Sequence, residues 1–185
     1  MPTFPLPTID PERTEFGFAR SVCACTSCTQ NCRFIPGYLI PADLPRICKH
    51  LAPDQDLFDW SRRHLLASPG AKVMRGGSVF RIPTLVPARR ADGACRFLTL
   101  DNRCSIHSVA PFGCAFFDDH QFPEESDRRS KRGLQAVLEA WETGDGYAQV
   151  WTFLAAAGLV APPPEVCRAQ MLRADDPSSH PKGEP

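Results

Sequence analysis

Residues 21–32, SVCACTSCTQNC, carry Cys23, Cys25, Cys28 and Cys32 within twelve positions. Thiolates are soft ligands that suit Zn(II) and iron–sulfur clusters. Cys25-x2-Cys28 is a tight-turn pair whose sulfurs can face one metal. Cys28 and Cys32 are four apart, so one helical turn places both on one face. Cys23 and Cys25 share one side of an extended segment, where side chains repeat every two residues. All four can therefore point into one pocket.

A looser set follows at Cys95, Cys104 and Cys114. These three complete the first cluster, form a second site, or pack as small hydrophobes in the core. His107, three residues after Cys104, and His120, six after Cys114, are candidate nitrogen ligands. Asp118 and Asp119 beside His120 offer carboxylates, although solvated acidic residues are the plainer reading. Cys48 falls on the apolar side of a predicted helix and reads as core. Cys167 follows a triple proline and reads as incidental.

Something must hold these side chains in place, and the rest of the chain describes a modest domain. It has 185 residues, 43% hydrophobic and 23% charged, which is enough for one core. Lys+Arg and Asp+Glu balance at 21 each, so charge makes no case for nucleic acid or a membrane surface. No stretch of about 18 apolar residues predicts a membrane span. The opening MPTFPLPTIDPERTEF lacks the pattern of a secretory signal, so the expected compartment is a reducing cytoplasm. There, nine cysteines, an odd number, point to metal or redox chemistry rather than a disulfide framework.

Residues 1–20 read as an irregular lead, 21–160 as a single cysteine-cluster domain and 161–185 as a proline-rich, disordered tail. Helices are predicted over 43–51, opened by Asp43, and over 54–67, ended by Ser68-Pro69-Gly70. Residues 72–75 and 78–85 flank Gly76-Gly77 as a hairpin, with Pro83 confining the second strand to an edge. CRFLTLDNRCSIH reads as a second hairpin turning at Asp101-Asn102, with Cys95 and Cys104 on its arms. From 128 to 159 the period becomes helical, in two helices broken near Thr143–Gly146. The expected class is α+β, a small irregular cysteine-rich domain. Short helices and two hairpins surround a metal site, and helices close the C-terminal part. Nucleotide-binding, Walker, nucleophile-elbow and zincin motifs are absent from the sequence.

The blocks C25-TS-C28-TQN-C32, PGYLIPADL, GACRFL, NRCSIH and APFGCAFF, in that order, resemble the YkgJ or CxxCxxCC family. That family is described as zinc- or iron-chelating. The resemblance implies ligands at Cys25, Cys28, Cys32, Cys95, Cys104 and Cys114, with Cys23 an extra candidate. Cys32 stands alone where the family has an adjacent pair, and Ala110-Pro111 stands where Arg-Pro is usual. A related region in a flagellin lysine N-methylase implies an iron–sulfur cluster. The sequence therefore predicts a protein holding an iron–sulfur cluster or Zn(II), with more than one metal ion allowed by the thiol count. A metal-dependent or iron–sulfur enzyme, a protein-modifying one included, and a thiol redox sensor are the alternatives. No membrane partner is expected.

Overall fold

A computed structural model describes residues 16–21, 23 and 25–174. Seven helices and two small antiparallel sheets make a mixed α+β fold among these residues. Helix α1 (Thr26–Phe34) is followed in sequence by α2 (Asp43–Leu51) and α3 (Leu57–His64), which pack on each other. Asp56 caps α3 by accepting the amides of Phe58 and Asp59. Strands β1 (Leu65–Ser68) and β4 (Thr84–Pro87) pair as one sheet; β2 (Lys72–Arg75) and β3 (Ser78–Arg81) pair as the other. The β2–β3 turn is Gly76-Gly77 with φ of 57° and 78°, the left-handed pair that a two-residue hairpin requires.

The chain then runs through an irregular stretch to a 3₁₀ turn (His107–Val109) and the one-turn helix α4 (Phe112–Ala115). Helix α5 (Pro123–Thr143) begins with Pro at its first turn and two acidic residues, Glu124 and Glu125, which suit the positive helix end. It stops at Gly144 in the left-handed conformation. Asp145 then caps α6 (Gly146–Ala156), accepting the Tyr147 amide at 2.8 Å. Helix α7 (Pro164–Ala174) follows.

Five expectations change. The helix read over 54–67 begins later and ends at His64, because residues 65–68 are claimed by β1. Local pattern favoured continuing the helix, but pairing with Thr84–Pro87 buries Leu65 and Ala67 completely or nearly so. The strand read over 78–85 is broken at Ile82-Pro83 into two strands of different sheets. The second hairpin is a coil with single bridges: Cys104 pairs with Leu98, whereas Cys95 pairs with Arg89. Asn102 takes the turn, at φ 60°. Part of the stretch assigned to the tail forms α7, whose Cys167 is buried with its sulfur 3.0 Å from the Arg89 guanidinium. Within the N-terminal lead, Phe16 stacks edge-on against Phe112, so these residues join the core. Residues 1–15 and 175–185 lie outside the described residues.

Two joints set the position of the cysteine-bearing segments. Asp43 is fully buried and accepts the amides of Ile40 (3.0 Å) and Phe112 (2.7 Å), while Arg46 donates to its other oxygen at 2.8 Å. It thus ties the start of α2 to α4, which carries Cys114. The second joint is a backbone crossing. Gly113 donates to the Tyr38 carbonyl at 2.8 Å, and a Cβ on Gly37 would lie 2.1 Å from the Gly113 carbonyl carbon. Only two glycines allow that approach. Tyr147 completes the frame from the other side, donating to the Leu39 carbonyl and accepting the Leu85 amide, both at 2.8 Å.

Candidate metal centre

Cys25 sits at the N-cap of α1 in extended backbone, with Cys28 in the first helical turn. The segment around Asp118–His120, past α4, lies against them: the Asp119 amide donates to Cys28 Sγ at 3.4 Å. The His120 ring nitrogen Nε2 lies 3.3 Å from Cys25 Sγ. Together with Cys23, these side chains place one ligand atom each within 4.8 Å of all the others. A tetrahedral zinc bound at about 2.3 Å to sulfur needs ligand atoms roughly 3.8 Å apart, so a small contraction suffices. Three thiolates and an imidazole are also a chemically suitable set for that ion.

The electrostatics favour ligation. The Cys28 amide at the helix start lowers the Cys25 thiol to about 6, and the His120 side chain and neighbouring thiols add to it. Cys25 is exposed, and these hydrogen bonds favour its thiolate near neutral pH. Hydrogen bonding to Cys25 raises His120, followed by the charges of Cys25, Asp118 and Asp119. Cys28 moves the other way, to about 12, because burial and then the adjacent thiols disfavour a second negative charge. A cation placed among the three sulfurs would reverse that penalty. This outer group is half-exposed, and its ligands come from both ends of the cysteine-rich part of the chain.

Cys32, Cys95, Cys104 and Cys114 do not join this group. Cys32 lies one turn beyond Cys28 on α1, about 6 Å further along the axis, and it packs with the hydrophobic core. The Cys95 amide donates to the Cys32 carbonyl at 2.8 Å. Cys95 is buried, and Cys104 and Cys114 are half-buried against the same core. The charge of Cys32 is felt at Cys95, Cys104 and Cys114, and that of Cys104 at Cys95 and Cys114. Burial is the main reason these thiols are raised, to about 12 for Cys95 and about 11 for Cys104, and further for Cys114. The i, i+4 pair that sequence spacing sends to one pocket is thus divided: Cys28 joins the outer group and Cys32 packs against the core.

His107 is placed beside Cys104, whose carbonyl accepts its amide at 3.2 Å, but its ring does not join the outer group. Burial, and then Arg20, lowers its pKa. Cys48 is buried on α2, facing the Gln55 carbonyl at 3.9 Å. Arg20 is the feature that sequence reasoning missed. Its guanidinium is buried, donates to the Ser108 carbonyl at 3.0 Å and to that of His107, and lowers the Cys104 thiol by its charge. No motif marks it, because it lies upstream of the cysteines and reaches its partners through tertiary packing.

Among the described residues no helix is long and apolar enough to cross a membrane. Comparison with known protein families, curated proteins and solved structures finds no match.

Proposed function

We propose that this is a metal-binding protein that holds Zn(II) at Cys23, Cys25, Cys28 and His120. The observation that carries the reading is the convergence of three sulfurs and one imidazole nitrogen within 4.8 Å. Four protein donors fill the tetrahedral shell of zinc, the arrangement of a site that holds its ion rather than one that keeps a position open for substrate. An enzymatic role at this group is accordingly the weaker reading. The resemblance of the cysteine blocks to the YkgJ family supports metal binding in general. A reducing cytoplasm is the compartment that keeps such thiols available.

The test is metal analysis of the full chain purified anaerobically, alongside Cys25→Ser and His120→Ala. One zinc per chain that both variants lose is the expected result. A chain that takes up no zinc at micromolar concentration, or variants that keep it, would refute the assignment. One observation favours a second reading, thiol redox sensing: the exposed Cys25 thiolate sits beside two other thiols. In that case, mild oxidation should join Cys25 to Cys23 or Cys28 reversibly, with no metal released because none was bound.

A further inference from the structure

We infer that Asp118 and Gln121 are the positioning residues of the zinc site. They hold the turn at residues 118–121 so that His120 Nε2 and the Asp119 amide meet the cysteine sulfurs. The inference rests on the zinc site proposed above and deepens it, because it names side chains that are not ligands yet set the metal affinity.

His120 is the one ligand of the four that comes from outside residues 23–28. It sits in the connection between α4 and α5, a stretch with a buried apolar anchor at one end only. Phe116 is fully buried, whereas Phe122 at the other end is 79% exposed. Polar contacts must therefore fix the turn. Asp118 Oδ1 accepts the His120 amide at 2.9 Å, which closes it locally. Gln121 braces it from outside. Its Nε2 donates to the Phe116 carbonyl at 2.8 Å, and its Oε1 accepts from the Ser126 hydroxyl at 3.2 Å. A carbonyl can only accept, so the amide nitrogen must face Phe116, which leaves the amide oxygen for Ser126. A carboxamide supplies the donor and the acceptor at once, and here it spans from the end of α4 to the start of α5. The anchor point is itself held: Arg129 donates to the same Phe116 carbonyl and pairs with Glu125 at 2.6 Å.

The braced turn meets the site at two points. Consecutive residues face different sulfurs: the Asp119 amide donates to Cys28 Sγ at 3.4 Å, and His120 Nε2 lies 3.3 Å from Cys25 Sγ. A turn that drifts loses both contacts together. Groups that orient a metal ligand contribute to affinity without touching the ion. Asp118 and Gln121 do so through the backbone of the turn, which carries the imidazole with it.

The experiment titrates zinc into the full chain, purified anaerobically and stripped of metal, against a chromophoric chelator. It also records the visible spectrum of the Co(II)-loaded chain. Asp118→Ala and Gln121→Ala should each weaken zinc binding by roughly 10–100-fold. Asp118→Asn keeps the Oδ1 acceptor and should restore the affinity of the parent. In the Co(II) form the alanine variants should keep the thiolate charge-transfer band while the d–d bands move to lower energy, as water takes the place of imidazole. A loss of stability alone would not move those bands. Gln135→Ala removes an exposed amide of α5 that pairs with Glu139, and should bind zinc as the parent does. Should Gln121→Ala fail to fold, Ser126→Ala decides: it leaves the helix intact, removes one end of the brace and should weaken zinc in the same direction. Unchanged affinity and an unchanged Co(II) spectrum in these brace variants would overturn the inference and leave the zinc site standing. Asp118→Asn as weak as Asp118→Ala would assign the effect to the carboxylate charge and overturn it likewise. A parent chain that binds no metal would overturn both the inference and the site.

Discussion

Replacing Gly37 by alanine tests the backbone crossing that positions α4 and Cys114. An added Cβ would lie 2.1 Å from the Gly113 carbonyl carbon, 2.2 Å from its oxygen and 2.5 Å from the Cys114 amide nitrogen. All three are backbone atoms, so no flexible side chain can swing aside. Reaching the 3.4 Å of ordinary contact from 2.1 Å requires the two segments to part by roughly 1.3 Å. Overpacking of a filled core costs about 1–3 kcal/mol, and a backbone-to-backbone clash belongs at the upper end. At about 2–4 °C per kcal/mol for a chain of this size, the melting temperature should fall by roughly 6–12 °C. Cys114 is not among the outer ligand atoms, so Gly37→Ala should keep the proposed zinc at Cys23, Cys25, Cys28 and His120. Thermal melting with metal analysis reads both effects. A variant that melts within about 2 °C of the parent would refute the argument.

Gly146→Ala is the matching control: no atom lies within 4 Å of its Cβ position, and it opens α6. It should raise stability by about 0.5–1 kcal/mol through helix propensity, seen as a higher midpoint in urea. Asp43→Ala strands the buried amides of Ile40 and Phe112 and the Arg46 partner. It should destabilise by about 3–5 kcal/mol, measured by denaturant unfolding. Zinc uptake at the outer site should weaken as pH falls through about 6. Cys25 is held below its ordinary 9.0, so its thiolate persists down to that pH and is then lost, while His120 is already protonated. Zinc titrations with a competing chelator from pH 8 to pH 5 (roughly the span over which these groups change charge) would show this, and a flat profile would contradict it. The Cys25–His120 ion pair has its own window. Its thiolate side fades below about pH 6, and its imidazolium side fades as pH rises through the raised His120 value.

Local sequence was sufficient wherever a local rule had no competitor. Gly76-Gly77 is a hairpin turn in any context that pairs its flanks, and the break at Thr143–Gly146 follows from a left-handed glycine and an aspartate cap. The cysteine-rich character and the metal-ligand chemistry were equally legible, since they depend on residue type. Residues 65–68 were not, because a strand's partner lies far away: Leu65–Ser68 pairs with Thr84–Pro87 across the intervening hairpin. Helical periodicity cannot anticipate a partner that distant.

The same limit explains the division of the cysteines. Composition and spacing determine that this chain carries seven clustered thiols and two histidines able to bind metal. Spacing within 23–32 even brings Cys25 and Cys28 together at the start of α1. Whether Cys32 joins them depends on the depth of the helix end in the core, and on the Cys95 amide that meets its carbonyl. His120 becomes a partner of Cys25 because the chain past α4 returns to the N-cap of α1. Pairwise proximity between residues 95 positions apart in sequence is a property of packing, set by joints such as Asp43–Phe112 and Gly37–Gly113. The residue types fixed the chemistry, and the tertiary fold decided which sulfurs share it, because only packing sets distances between segments that do not touch in sequence.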